Sequence, residues 1–178
     1  MKLKILLIGS ILATNINASS TEIKLTESMT CLAKNIYFEA RGSSFADQIA
    51  VADVVLNRVN SRFYPNTVCG VVKDAVVKES WKTKQYKNLK KSQRKYIPVK
   101  NKCQFSWYCD GKKDDILNED AWEKAKNISY NILNDGEYIG LTEGSTHYHA
   151  HYVEPKWAKN LIFVSTIGSH KYYRMKRK

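Results

Sequence analysis

The sequence predicts a mainly helical α+β chain with one small β element near its C-terminus. Three observations predict it. Residues 26–42, 44–62 and 118–136 each repeat apolar side chains at helical spacing. Residues 146–153 alternate instead, which is the period of a strand. The composition, 43% hydrophobic and 26% charged, is that of a chain with a core, which excludes wholesale disorder. A length of 178 residues suits one domain.

The chain opens on Met1-Lys2-Leu3-Lys4, a short basic start, followed by an apolar run from Ile5 to Ala13. Asn15-Ile16-Asn17-Ala18 then offers a small-residue cleavage site. Residues 1–18 read as a signal peptide, cleaved or kept as an anchor, and 19–178 as the single domain. The apolar run is too short for a membrane span. The expected destination is the periplasm, the cell envelope or the extracellular space. That address argues against nucleic acid as the partner of a chain with net charge +12. An even set of cysteines, Cys31, Cys69, Cys103 and Cys109, behind an export signal favours two disulfides. Three pairings are open and sequence does not choose among them; Cys31–Cys69 with Cys103–Cys109 is preferred. Zinc bound through these thiols is disfavoured, because no Cys-x-x-Cys spacing occurs.

The first helix starts at Thr26, whose hydroxyl can cap a free N–H of the first turn. Met29, Leu32, Ala33, Ile36 and Ala40 form its apolar stripe, and Gly42 stands where a left-handed C-terminal residue is wanted. Glu39 falls about 60° from Ile36 on the helical wheel, at the border of that stripe. Burial there raises a carboxyl pKa, which is what a general acid needs. Taken alone, the spacing suits a solvated helix-end Glu at least as well.

The second helix is apolar nearly all round, with Ile49, Ala52, Leu56 and Val59 on one stripe and Val51, Val54 and Val55 beside it, so it should be central. Ser44 and Asp47 resemble a capping pair. Asn57 and Arg58 could reach a cleft or the surface. Tyr64-Pro65-Asn66 is a turn. Residues 71–77 fit a short helix or a strand equally well.

Residues 80–102 hold eight Lys and one Arg, no acid, and the aromatics Trp81, Tyr86 and Tyr96. A charge run of this kind is either a solvated loop or a tether to an anionic polymer. Cys103 to Gly111 then sets Phe105, Trp107 and Tyr108 among polar groups, and aromatic faces there suit sugars or a core. Asn118 can cap a third amphipathic helix built on Ala121, Trp122, Ala125, Ile128 and Ile132 and closing at Gly136. In the alternating stretch His147, His149 and His151 share one strand face, with Tyr148 and Tyr152 on the other. Three imidazoles on one face can bind zinc. However, ligands at alternate positions of a straight strand rarely converge on one ion, so hydrogen bonding or substrate positioning is the preferred reading and no metal or other cofactor is expected.

The run Tyr37-Phe38-Glu39-Ala40-Arg41-Gly42, followed by Gln48-Ile49-Ala50-Val51-Ala52 and Val54-Val55-Leu56-Asn57-Arg58-Val59, resembles the SleB-type cell-wall hydrolases. The likeness continues through residues 64–72, Cys103-Gln104-Phe105-Ser106-Trp107, Thr146-His147-Tyr148-His149-Ala150, Val153-Glu154-Pro155-Lys156-Trp157, Gly168-Ser169-His170 and Tyr172-Tyr173-Arg174. The resemblance implies a lysozyme-like fold, cleavage of peptidoglycan glycan strands, and Glu39 as the essential acid. In that family a shorter link joins the Gly-Val-Val run to the Cys-Gln-Phe-Ser-Trp run, so 80–102 is expected to be an insertion in a surface loop. Trp107, Tyr148, His149 and Tyr152 are the candidate substrate contacts.

Three functions follow, in order of preference: a glycan-cleaving enzyme, a non-catalytic envelope-binding protein, and a metal-dependent amidase. Peptidoglycan is the expected partner, with anionic envelope polymers drawn to the basic segment. Hydrolysis by a glycosidase needs a second carboxylate. Asp47, expected to be occupied at its cap, and Asp53, Asp110, Glu143 and Glu154 have settings less clear than that of Glu39. A lytic transglycosylase needs no second carboxylate, and the resemblance implies that reaction.

Overall fold

The computed structural model describes residues 25–176; the predicted signal segment lies outside them. Two long helices begin the fold, α1 (Glu27–Ala40) and α2 (Phe45–Val59). Thr26 Oγ1 accepts from Met29 N at 3.2 Å and Ser44 Oγ from Asp47 N at 3.3 Å, so both predicted caps form. Gly42 does not end α1 in the left-handed region; Arg41 caps it in the right-handed one. The chain turns directly into α2 through a bond from Ser43 N to the Ala40 carbonyl at 2.9 Å, so no left-handed residue is required.

A short α3 (Val68–Val72) and strand β1 (Ala75–Glu79) divide residues 71–77 between helix and strand. After α4 (Trp81–Lys84) and a 3-10 turn, β2 (Tyr96–Cys103) pairs antiparallel with β1. Residues 80–102, expected to be an insertion in a surface loop, form the outer part of a hairpin arm. Bonds such as Ser80 N to the Lys95 carbonyl at 2.7 Å close the arm across its width. A 3-10 turn, Ser106–Cys109, leads on to α5 (Glu119–Asn134), capped by Asn118. Gly136, with φ +70°, ends α5 in the left-handed region while Glu137 N bonds back to the Asn131 carbonyl at 3.1 Å.

The C-terminal third holds β3 (His147–Ala150), β4 (Ile162–Ile167) and β5 (His170–Arg174), with β5 central and antiparallel to both neighbours. The result is α+β, as predicted. Leu32, Ala33 and Ile36 of α1, Ile49, Ala52 and Val55 of α2, and Ile128 and Ile132 of α5 make the main core. On its other side α2 buries Ala50 and Val54 against Tyr172 of β5. An all-round apolar helix is thus sandwiched between helices and sheet, which is why α2 has no solvent face along most of its length. Disulfides join Cys31 to Cys69 and Cys103 to Cys109, the preferred pairing.

Candidate active site

Asp47, Asp53, Asn57 and Arg58 of α2 are clamps on the last third of the chain. Asp47, fully buried, accepts from Ser169 N and Oγ at 3.0 Å, from His170 Nδ1 at 3.0 Å and from Tyr172 Oη at 2.7 Å. Burial alone raises its pKa, but the bonds from His170, Tyr172 and Ser169 outweigh it and hold the carboxyl at about 2. The sequence had suggested that Asp47 is occupied at its cap; instead its carboxylate holds the last third of the chain, and only its backbone N–H serves the cap. Gly168 makes the clamp possible. Its φ is +55° and a Cβ there would stand 2.6 Å from Asp47 Cβ. Nearly two turns further along α2, Asp53 accepts from Gly140 N at 2.8 Å and from Thr142 N and Oγ1 at 2.8 and 2.6 Å. Asn57 donates to Thr142 Oγ1 and the Ser145 carbonyl at 3.0 Å, and Arg58 Nε donates to the Thr146 carbonyl at 2.9 Å. Neither Asn57 nor Arg58 is a free cleft group. Together these bonds deliver β3 to α1.

That delivery matters for Glu39. Tyr148 of β3 donates its hydroxyl to Glu39 Oε2 at 3.0 Å. Glu39 is half-buried, and desolvation raises its pKa against the opposing pull of the Tyr148 bond and of the charges of His170 and Arg58. Burial, together with the Glu39 charge, raises the Tyr148 phenol well above its ordinary range, so it remains a donor. His170 lies edge-on to the Tyr148 ring, with centroids 5.1 Å apart, and Tyr172 packs at 5.7 Å. Thus the Asp47 clamp fixes His170 and Tyr172, these fix the Tyr148 ring, and Tyr148 fixes Glu39. Tyr148 engages Oε2, and Oε1 accepts no hydrogen bond from the described residues.

Glu39 lines a cavity of about 410 Å³. On one wall Phe38 stacks on Trp107, centroids 4.8 Å apart, and Trp107 Nε1 donates to the buried Asn35 Oδ1 at 3.1 Å. Asp110, Asp114 and Asp115 line the cavity as well, with Arg41, Lys112 and Lys113. Burial, then Asp110, raise the Asp114 carboxyl.

The four candidate substrate contacts separate. Trp107 lines the Glu39 cavity, and Tyr148 bonds the acid itself. His149 cannot join them, because strand alternation turns it to the opposite face of the sheet. There it stacks on Tyr173 at 5.2 Å, its Nε2 meets Tyr173 Oη at 3.0 Å, and it lines a separate cavity of about 380 Å³. Tyr152 lies beyond the end of β3 and is 79% exposed. His151 is also past the strand end, so β3 does not hold three histidines on one face. Sequence reasoning missed the clamp between Asp47 and His170, the bond of Asn35 to Trp107, and the place of Asp114 and Asp115 on the cavity wall. The signal for Asp47 and Asp53 was present: acids inside an otherwise apolar helix are held by partners.

Three kinds of likeness to known proteins bear on this site. The sequence model of a family described as Cell Wall Hydrolase matches residues 42–173. Its match begins just after Glu39 and contains the Asp47, Tyr148 and His170 positions. A spore cortex-lytic enzyme of Bacillus subtilis (strain 168) is 51% identical over 41 residues, which are 23% of this chain and 13% of that protein. Among solved structures, the catalytic domain of the Bacillus cereus SleB protein has a TM-score of 0.51 at 22% identity, over 86% of this chain and 94% of that one. The catalytic domain of the germination-specific lytic transglycosylase SleB from Bacillus anthracis has a TM-score of 0.53 at 23% identity, over 84% and 97%. At such identities the likeness to the two structures is one of fold.

Proposed function

The chain belongs to the cell wall hydrolase family, and from that premise we propose that it cuts the glycan strands of peptidoglycan as a lytic transglycosylase, with Glu39 as its single acid–base group. The observation that carries this reading is the setting of Glu39. It is half-buried beside an open cavity, pushed toward its protonated form, and held through one oxygen by a phenol that does not ionise. The bond between the muramic acid anomeric carbon and the leaving oxygen breaks as Glu39 Oε1 delivers its proton to that oxygen. The carboxylate then takes the proton of the muramic acid 6-hydroxyl, whose oxygen closes on the anomeric carbon. Glu39 is protonated again, no water is consumed, and a 1,6-anhydro ring results. The nucleophile is part of the substrate and acts at high effective concentration.

The acids that could serve a hydrolytic route support this reading unequally. Asp47 and Asp53 are consumed by the clamps. Glu143 and Glu154 line other cavities. Asp110, Asp114 and Asp115 do share the cavity with Glu39, and they favour a second reading, in which one of them activates water. Mass spectrometry of products released from purified sacculi decides between the two. Anhydro ends, lighter by a water than reducing ends, are expected. Reducing ends alone would reject the transglycosylase and point to the Asp110–Asp115 wall, and no release at all would leave a binding protein. A wall substrate places the work in the envelope or outside the cell, with residues 1–18 as the export signal.

A further inference from the structure

We propose that residues 75–103 form an arm that docks the protein on an anionic lipid surface. The arm is β1, β2 and what they enclose. Beyond its own strands its main contact is with the 106–109 turn, so it stands away from the core. It bears ten lysine and arginine residues against the single acid Glu79. Even that acid is neutralised, since Arg94 Nη1 bonds Glu79 Oε1 at 2.7 Å. Charge of this density in one projecting element attracts an anionic surface.

The exposed apolar side chains choose the surface. Val76, Val77, Trp81, Tyr86, Tyr96 and Ile97 are each 40–69% exposed, all within the arm. Hydrated polyanions such as wall polymers attract the lysines but give the two valines and Ile97 nowhere to go. At a lipid interface the layers match: anionic headgroups meet lysines, hydrocarbon below takes aliphatic side chains, and Trp and Tyr sit at the boundary. No helix among the described residues is long and apolar enough to cross a membrane, so docking by the arm is peripheral. At its root the arm is tied to the cavity. β2 ends at Cys103, bonded to Cys109, and Trp107 of the cavity wall lies between them. A docked arm therefore holds the cavity at a set height above the lipid.

The test is co-sedimentation of the full chain with vesicles of equal parts phosphatidylglycerol and phosphatidylcholine, with phosphatidylcholine vesicles, and with lipid-free sacculi. Because every variant retains residues 1–24, differences between variants report the arm. Preference for the anionic vesicles is expected, and K82Q/K84Q/K87Q should weaken it at least roughly tenfold at low salt. V76S/V77S/I97S should weaken vesicle binding by a similar factor and leave sacculus binding unchanged. W81A, on α4 outside the strand pairing, should weaken it several-fold should the triple variant misfold. Vesicle binding by W81A and the serine variant equal to that of the parent overturns the proposal. Loss of sacculus binding in place of vesicle binding also overturns it and makes the partner a wall polymer.

Discussion

Glu39 stands next to the last residue of α1, where the helix leaves the core and meets the cavity. Two forces act on its proton. Burial favours the acid, and the Tyr148 hydroxyl bond favours the carboxylate. Glu39→Gln keeps the shape and removes the ionisable proton. It should lower turnover on purified sacculi by roughly 10²–10⁴-fold with an unchanged far-UV spectrum; near-parental clearing would reject Glu39 as the acid. Tyr148→Phe tests the second force. The phenylalanine cannot donate, so the carboxylate loses stabilisation and the Glu39 pKa rises further. In the proposed mechanism the acid form starts the reaction, so the basic limb of kcat/KM against pH should move to higher pH while the rate falls. A lower rate with an unmoved limb would mean that Tyr148 only fills space.

Among the elements, α2 organises the site without touching the cavity. Its predicted centrality holds because apolar residues on every side can be buried only between two layers. The helices were legible because 3.6-residue periodicity and caps such as Thr26, Ser44 and Asn118 are local signals. Sheet order and the Asp47 clamp were not. They join residues 122–125 positions apart, and nothing local in Gly168-Ser169-His170 names its partner. The place of Glu39 at the border of the apolar stripe was legible in the helical period, yet its bond to Tyr148 spans 109 positions and nothing local names that partner. Alternation already set His149 and Tyr148 on opposite faces of the strand, and the structure keeps them apart. The clamp has a pH signature. Asp47 titrates at about 2 when folded, against an ordinary 3.8. Its contribution, on the order of 2 kcal/mol, is complete above the unfolded pKa and is lost as pH falls through about 2. Urea melts of Asp47→Asn should therefore show a smaller loss of stability between pH 5 and pH 2 than the parent, from a lower start. Equal acid slopes would mean that Asp47 does not carry this linkage.

At the scale of the molecule the two disulfides do different work. Cys31–Cys69 joins α1 to α3 across 38 positions, and Cys103–Cys109 closes a loop of separation 6. In the chain-entropy account the long closure is worth about 4 kcal/mol and the short one about 2 kcal/mol. Stability alone therefore ranks the first bridge above the second. Position reverses the ranking for activity. Cys31–Cys69 lies in and beside the helical core, away from the Glu39 cavity. Cys103–Cys109 brackets Phe105, which is buried, and Trp107, which stacks on Phe38 beside Glu39. Opening it frees one wall of the cavity and loosens the root of the arm together. C31S/C69S should lower Tm by roughly 10 °C yet retain most turnover on sacculi below its transition. C103S/C109S should lower Tm by about half as much and lose more turnover, and the loss should appear in kcat as well as KM because Trp107 and Glu39 share the cavity. Should turnover simply follow Tm across the two variants, the short bridge is a stability device alone, and the Trp107 wall does not need it to stay in place.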